Sequence, residues 1–197
     1  SSIRNGFPYG EYHYLYDTLQ GELILGGVPL WDSASYAFIA YASLALAWVL
    51  VEKIEARGKY ENYLVPAHPW KVTILASFFM MLADVIIDPL ANLGERWFLG
   101  KSYFYPEPGF YFGVPFSNFV GWFLVALVVI SGFQWMEKLL LTRFHLPAWG
   151  AKRFTGQAWL GVLFYFGILG FNLCITYSLG EYQLLFAGIW ITTPLIL

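Results

Sequence analysis

The fold of this chain is decided by the stretch VTILASFFMMLADVIIDPLANL, residues 72–93. About 20 predominantly apolar residues are enough to cross a membrane as a helix, and this stretch has that length and character. It also contains two carboxyl groups, Asp84 and Asp88, and a proline, Pro89. Because a carboxyl group at the centre of a transmembrane helix costs about 2.5–3.5 kcal/mol, both side chains are expected to face a protein interior or a wet cavity. The stretch therefore predicts a transmembrane helix with one polar face.

The rest of the chain has the composition of a membrane protein. Of its 197 residues, 58% are hydrophobic and only 12% are charged, about half the charged fraction of a typical soluble domain. Four further apolar stretches follow the same pattern, at residues 31–51, 118–135, 158–179 and 182–197. We therefore predict an all-α polytopic transmembrane helix bundle, with about five spans in a single integral membrane domain, residues 1–197. The chain begins without Met and ends inside an apolar stretch, so we expect it to be truncated at one or both ends.

Lysine and arginine predict the orientation of this bundle. Eight of the eleven positive residues lie around the loops after the first and third spans: Lys53, Arg57, Lys59, Lys71, Lys138, Arg143, Lys152 and Arg153. Because short cytoplasmic loops carry an excess of these residues, we expect both loops to face the cytoplasm in a multi-pass protein of the inner membrane. Asp84 and Asp88 then lie toward the non-cytoplasmic half, on the side of the N-terminal segment and the loop 103–116. The net charge of −2 gives no indication of a nucleic acid partner.

Asp84, Asp88 and Asn92 are four residues apart, so they share one face of the helix. Pro89 lacks an N–H group and clashes with the carbonyl of Val85, which predicts a kink beside the carboxyl groups. Two neighbouring carboxyl groups need not share a protonation state, so one residue type can supply both an acid and a base. The alternative is a structural hydrogen-bonded pair that locks neighbouring helices together.

Aromatic residues make up 21% of the chain, more than interfacial belts alone would need. The loop 109–118 is rich in them, contains Phe112, and leads into Gly121 and Trp122. Aromatic faces can hold a polyene or stabilise a carbocation, although an interfacial belt explains each single ring equally well. Asn118 is either a helix N-cap or a site residue, and Asn172 either bonds across helices or belongs to the site.

The residues that are missing narrow the chemistry. The three histidines lie outside the predicted spans, and Cys174 is the single cysteine, so haem, di-iron and cysteine-based metal sites are not expected. Asp17 and Asp32 stand alone, which leaves no second Asp-rich motif to hold Mg²⁺ and a diphosphate. There is no P-loop and no dinucleotide fingerprint. What remains is acid–base chemistry on an apolar substrate, without a metal or a cofactor.

Several motifs, in order along the chain, resemble a known family. They are Gly6–Tyr14, Val28–Leu30, Met81–Ala91, Trp97, Tyr103–Tyr105, Gly113–Pro115, Asn118–Phe119 and Gly121–Trp122. Together they resemble the carotenoid biosynthesis membrane protein family, whose known members are CruF-type carotenoid 1,2-hydratases and bisanhydrobacterioruberin hydratases. The resemblance is strong from about Gly6 to Trp122 and rests on helix pattern alone beyond that point. It implies addition of water to the terminal C1=C2 double bond of an acyclic ψ end group, through a tertiary carbocation and without a cofactor.

The resemblance and the residues together give a set of expected roles. We expect Asp88 to donate the proton with Asp84 as its partner, and Asn92 and Asn118 to orient water. The pocket for a carotenoid or another long isoprenoid would be lined by Tyr12, Trp97, Tyr103, Phe112 and Trp122.

Two other functions fit the same residues. The chain could bind a carotenoid or membrane lipid without converting it, as a subunit of a larger pigment–protein complex with other membrane subunits. It could also be an isoprenoid cyclase or isomerase, because protonation of an alkene begins those reactions too.

Overall fold

The computed structural model describes residues 5–52, 68–144 and 157–195, and within these ranges the chain is a bundle of helices with a small layer at one end. The helices are α1 (Leu30–Glu52), α2 (Pro69–Ala91), α3 (Phe116–Phe144), α4 (Gln157–Ser178) and α5 (Tyr182–Thr192). The first four are long and apolar enough to cross a membrane. The predicted fold class, an all-α membrane helix bundle, is confirmed.

Helix α2 lies at the centre of the bundle. About 61% of its membrane-crossing part is buried against other helices, compared with 28–33% for α1, α3 and α4, and it packs against all three. Ala76 and Met80 of α2 are fully buried, in the same core cluster as Ala42 of α1 and Tyr165 of α4. The Tyr165 hydroxyl donates a hydrogen bond of 2.8 Å to the carbonyl oxygen of Phe79. The apolar stretch 72–93, which decides the fold, therefore lies in the central helix of the bundle.

In the first half of α2, two polar side chains form hydrogen bonds to carbonyl oxygens of their own helix. The Ser77 hydroxyl donates to the carbonyl oxygen of Thr73, 2.8 Å away. Thr73 Oγ1 lies 2.9 Å from the carbonyl oxygen of Pro69 and 2.6 Å from Oε1 of Gln134 on α3. Because a buried hydroxyl without a partner costs free energy, these bonds make the polar residues compatible with the core.

A layer of short segments covers one end of the bundle. It contains four short strands, β1 (His13–Tyr14), β2 (Ile24–Leu25), β3 (Val28–Pro29) and β4 (Tyr103–Phe104). Strand β1 pairs antiparallel with β4, and β2 with β3. The connection before α5 lies at the same end, since Arg96 forms an ion pair with Glu181. The layer therefore joins the N-terminal segment to the loop that follows α2.

Gly121 allows this layer to pack closely on α3. A Cβ atom at this position would lie 2.7 Å from the ring of Tyr9 and 2.8 Å from the backbone of Pro8. Such distances are too short for any residue with a side chain, so glycine lets the N-terminal segment rest directly on the helix.

The helix ends differ from the predicted spans at several points. Helix α3 continues to Phe144, nine residues beyond the predicted end at 135, and α5 begins at 182 as predicted and ends at Thr192. Lys71, Lys138 and Arg143, which we had assigned to loops, lie within helices. The reason is that Lys, Glu and Leu are good helix formers, so a helix can continue after its apolar part has ended. The other basic residues of both predicted cytoplasmic loops lie outside the described residues.

Candidate active site

The carboxyl groups of Asp84 and Asp88 are joined by one amide group. Both side chains are buried in the second half of α2, and Asn118 is buried in the first turn of α3. The Asn118 Nδ2 donates to Oδ2 of Asp84 at 2.7 Å and to Oδ2 of Asp88 at 2.9 Å. A side-chain amide has two N–H donors, so each carboxyl group receives one. Asn118 therefore contacts both carboxyl groups and is more than a helix cap.

Two tyrosines complete the hydrogen bonds to Asp88. The Tyr105 hydroxyl donates to Asp88 Oδ2 at 2.6 Å, and the Tyr103 hydroxyl donates to Asp88 Oδ1. Burial, followed by the negative charge of Asp88, raises the pKa of both tyrosines above the ordinary value. Both phenols therefore remain protonated donors at neutral pH. Among the described residues, Asp88 receives three side-chain donors, whereas Asp84 receives one.

The covering layer positions these tyrosines. In the pairing of β1 with β4, Tyr14 stands opposite Tyr103, and their ring centroids are 6.4 Å apart. Tyr12 lies edge-on to both of these rings and to Tyr105, at centroid distances of 5.4–6.5 Å. This edge-to-face arrangement is favourable for aromatic pairs. Tyr12, Tyr14, Tyr103 and Tyr105 therefore form one aromatic cluster beside the carboxyl groups.

A third carboxyl group also joins the site. Asp32 lies in the first turn of α1, and the Tyr14 hydroxyl donates a hydrogen bond to its Oδ2. Burial, followed by the negative charge of Asp32, raises the pKa of Tyr14 above the ordinary value. Tyr14 and Tyr103 are neighbours across two strands, and they bond to carboxyl groups on two different helices.

These groups surround a cavity of about 690 Å³. Its polar wall includes Asp32, Asp84, Asp88, Asn118 and Asn172. Its aromatic wall includes residues from the covering layer and from three helices: Tyr9, Tyr12, Tyr14, Trp31, Tyr36, Phe38, Trp97, Phe98, Tyr103, Tyr105, Trp122, Phe164 and Phe171. The Trp122 ring stacks on Tyr36 with centroids 5.0 Å apart. The cavity is large enough for the end of a long apolar molecule and offers it acidic groups.

One flank of the cavity is open on the outside of the bundle. Phe38 of α1 and Phe164 and Phe171 of α4 line the cavity and are also 58%, 43% and 51% exposed. All three belong to helices that are apolar enough to cross a membrane. The cavity therefore reaches the apolar flank of the bundle between α1 and α4.

Asn172 lines the cavity and also contains a buried oxygen atom without a hydrogen-bond partner among the described residues. Its Nδ2 donates to the carbonyl oxygen of Ile168 at 2.8 Å. Its Oδ1 is buried and accepts no hydrogen bond from the residues that the structure describes. A buried acceptor without a partner costs about 1–3 kcal/mol.

The structure brings most of the predicted site residues together. Asp84, Asp88, Asn118, Tyr12, Trp97, Tyr103 and Trp122 all line the cavity. Asn92 and Phe112 do not; the Asn92 amide donates to the carbonyl oxygen of Phe112 at 3.3 Å. These two residues are bonded to each other in the loop that follows α2 and do not form part of the cavity wall.

Sequence reasoning missed Asp32, Tyr14 and Tyr105. Asp32 has no carboxyl neighbour in sequence, and only the packing of α1 against α2 brings it near Asp84 and Asp88. The available signal was a carboxyl group in the first turn of an apolar span. In the described parts of the chain, no group of three or more His, Cys, Asp or Glu residues is arranged to hold a metal ion.

Comparison with known proteins adds to this geometry. A family model described as "Carotenoid biosynthesis protein" matches residues 2–192. The chain is also similar to a bisanhydrobacterioruberin hydratase of Haloarcula japonica, with 29% identity over 132 residues. That match covers 67% of this chain and 38% of the relative, so the chain matches well under half of the relative's length. No solved structure matches the chain.

Proposed function

The chain belongs to the carotenoid biosynthesis protein family, and from this membership we propose that it is a carotenoid hydratase. The reaction is addition of water to the terminal C1=C2 double bond of an acyclic ψ end group. The observation that carries the proposal is the buried Asp84–Asp88–Asn118 cluster in the wall of an aromatic cavity. The hydratase name of the relative from Haloarcula japonica supports the same reaction class.

The first step is protonation of the double bond. Asp88 donates a proton to C2, the π electrons form the new C–H bond, and C1 becomes a tertiary carbocation. The hydroxyls of Tyr103 and Tyr105 and the amide of Asn118 stabilise the negative charge that this step leaves on Asp88. Asp84, bonded to the same amide, is the partner of Asp88 in this step.

The aromatic wall has a role in the second step. The carbocation is attracted to the faces of nearby rings such as Tyr12 and Trp122, and the apolar cavity limits the number of water molecules that can reach it. Water then forms the bond to C1 and loses a proton. Both N–H donors of Asn118 are used by carboxyl groups, which leaves its carbonyl oxygen to accept a hydrogen bond from that water.

The test is expression of the complete gene in a bacterium that makes acyclic ψ-ended carotenes, followed by mass spectrometry of the pigments. We expect a more polar pigment, heavier by one water and labelled from heavy-oxygen water. Asp88→Asn should lower its yield about 10²–10⁴-fold. The matched control Asp17→Asn should leave the yield unchanged, because Asp17 is exposed and does not line the cavity.

Two outcomes would contradict the hydratase. Unchanged pigment that stays bound to folded protein would indicate a non-catalytic pigment-binding subunit. A new pigment of unchanged mass would indicate a cyclase or an isomerase.

A further inference from the structure

The cavity contains a second aspartate–tyrosine pair, which the reaction above does not use. Asp32 lies on α1, whereas Asp84 and Asp88 lie on α2. Within the described residues, the Asp32 carboxyl group accepts a hydrogen bond only from the Tyr14 hydroxyl. Asp88, by contrast, accepts from Tyr103, Tyr105 and Asn118. A carboxylate has about four acceptor positions, so most of those on Asp32 remain for another donor.

The pairing of strand β1 with strand β4 connects the Asp32–Tyr14 pair to the Asp88–Tyr103 pair. Tyr14 and Tyr103 face each other across β1 and β4. Tyr14 bonds to Asp32 and Tyr103 bonds to Asp88. One short pairing therefore positions two carboxyl groups from two different helices around a single cavity.

Hydration of an alkene needs two groups with opposite tasks. One group gives a proton to carbon, and another takes a proton from the attacking water. Asp88 has become a carboxylate surrounded by three donors at the moment when water attacks. Asp32 has open acceptor positions at that moment, so it is better suited to receive the second proton.

We propose that Asp32 is the catalytic base that deprotonates the attacking water, with Tyr14 as its positioning residue; this rests on the proposed hydratase function. The water oxygen forms the bond to C1 as its proton passes to the Asp32 carboxylate. Asp32 then releases this proton to water, and the Asp84–Asp88 pair takes one up. The net change is the addition of one water to the double bond.

The experiment supplies azide, a stronger nucleophile than water, so that the attack on the carbocation needs no base. Azide attacks a carbocation without losing a proton, so it does not need Asp32. In Asp32→Ala we expect hydration to fall about 10²–10⁴-fold. Added sodium azide should then give a pigment heavier by one hydrazoic acid, because the Asp84–Asp88 pair still protonates C2 and azide bonds to C1.

Three further variants serve as controls for the azide experiment. Asp88→Ala should give neither the hydrated pigment nor the azide adduct, because no carbocation forms. Asp32→Glu, which keeps a carboxylate, should recover part of the hydration. Asp17→Ala should behave as the unaltered protein in both assays. If Asp32→Ala does not fold, Asp32→Asn has nearly the same shape and serves the same test.

Several results would overturn the assignment. They are full hydration by a folded Asp32→Ala variant, loss of hydration without any azide adduct, or an azide adduct formed equally by Asp88→Ala. If the unaltered protein does not hydrate the pigment, the proposed function itself fails. If the unaltered protein hydrates and Asp32→Ala does so equally well, only the role of Asp32 fails.

Discussion

In the half of α2 that begins at Pro69, polar side chains bond mainly to the helix itself, whereas in the half that ends at Ala91 they bond to other segments. Ser77 and Thr73 each bond to a carbonyl oxygen four residues earlier. Asp84 and Asp88 receive their donors from α3 and from the loop that contains β4. The same apolar helix thus contains two kinds of polar residue.

The difference shows how a polar residue inside a span can be interpreted. A hydroxyl group satisfied by its own helix needs nothing from the rest of the protein, and its loss changes little else. A carboxyl group has no donor of its own when ionised and must collect donors from several segments. The half of α2 that ends at Ala91 therefore organises the covering layer. The half that begins at Pro69 mainly packs, with one side-chain bond to α3 from Thr73 to Gln134.

The sharpest way to test the comparison is to remove the two carboxyl groups separately and together. Asp84→Asn and Asp88→Asn should each lower hydration about 10²–10⁴-fold. The double variant should be no worse than the more severe single variant, because residues that act as a unit are not additive. Hydrated pigment per amount of folded protein measures this. Losses that multiply would show that the two groups act independently.

The next test uses two asparagines that the sequence analysis placed in the same role. Asn118→Ala leaves Asp84 without its donor among the described residues. We expect a loss of about 1–3 kcal/mol in the free energy of unfolding, together with a loss of hydration.

Asn92→Ala removes only an exposed bond of 3.3 Å and should change stability by no more than about 0.5 kcal/mol. Thermal unfolding in detergent, with pigment analysis, compares the two variants. Equal loss of hydration in both variants would contradict the placement of Asn92 outside the site.

A third test addresses the contact between the covering layer and α3. Gly121→Ala should cost about 1–3 kcal/mol, because its Cβ would lie 2.7–2.8 Å from Tyr9 and Pro8. Gly132→Ala, in the same helix, has nothing within 4 Å and should be neutral or slightly stabilising, since alanine favours helix more than glycine does. Thermal unfolding of both variants measures the effect. Equal melting temperatures would mean that the layer does not rest on α3.

The smallest effects are expected in the half of α2 that begins at Pro69 and in its surroundings. Tyr165→Phe removes one buried hydroxyl bond to Phe79 and should cost about 0.5–1.5 kcal/mol, with hydration unchanged. Ser77→Ala should cost no more than this. A clear loss of hydration by either variant, at normal stability, would break the distinction between the two halves.

Much of the bundle could be predicted because apolar length is a local property. Residues 72–93 and the other long apolar stretches show it directly, and their helices begin within three residues of the predicted positions. The far end of α3 was missed because a helix does not stop where its apolar part stops. Lys138 and Arg143 continue it.

The site could be predicted most directly where its residues share one helix. Asp84 and Asp88 are four residues apart, so their common face follows from helix geometry. Asn118 and Tyr103 were predicted from the residues and the family resemblance together. Asp32 and Tyr105 depend on how α1 packs and how β1 pairs with β4. No local pattern contains that information.

The exposed flank formed by Phe38, Phe164 and Phe171 has a consequence for how such an enzyme would be supplied. A long polyene could insert one end between α1 and α4 while the remainder stays in the hydrocarbon of the bilayer. Its supply would then depend on its mole fraction in the lipid and not on its amount per volume of buffer. Diluting the pigment with additional lipid, at constant total pigment and protein, should slow the reaction in proportion. In a cell, the same enzyme would work faster in a pigment-rich patch of membrane than in a pigment-poor one.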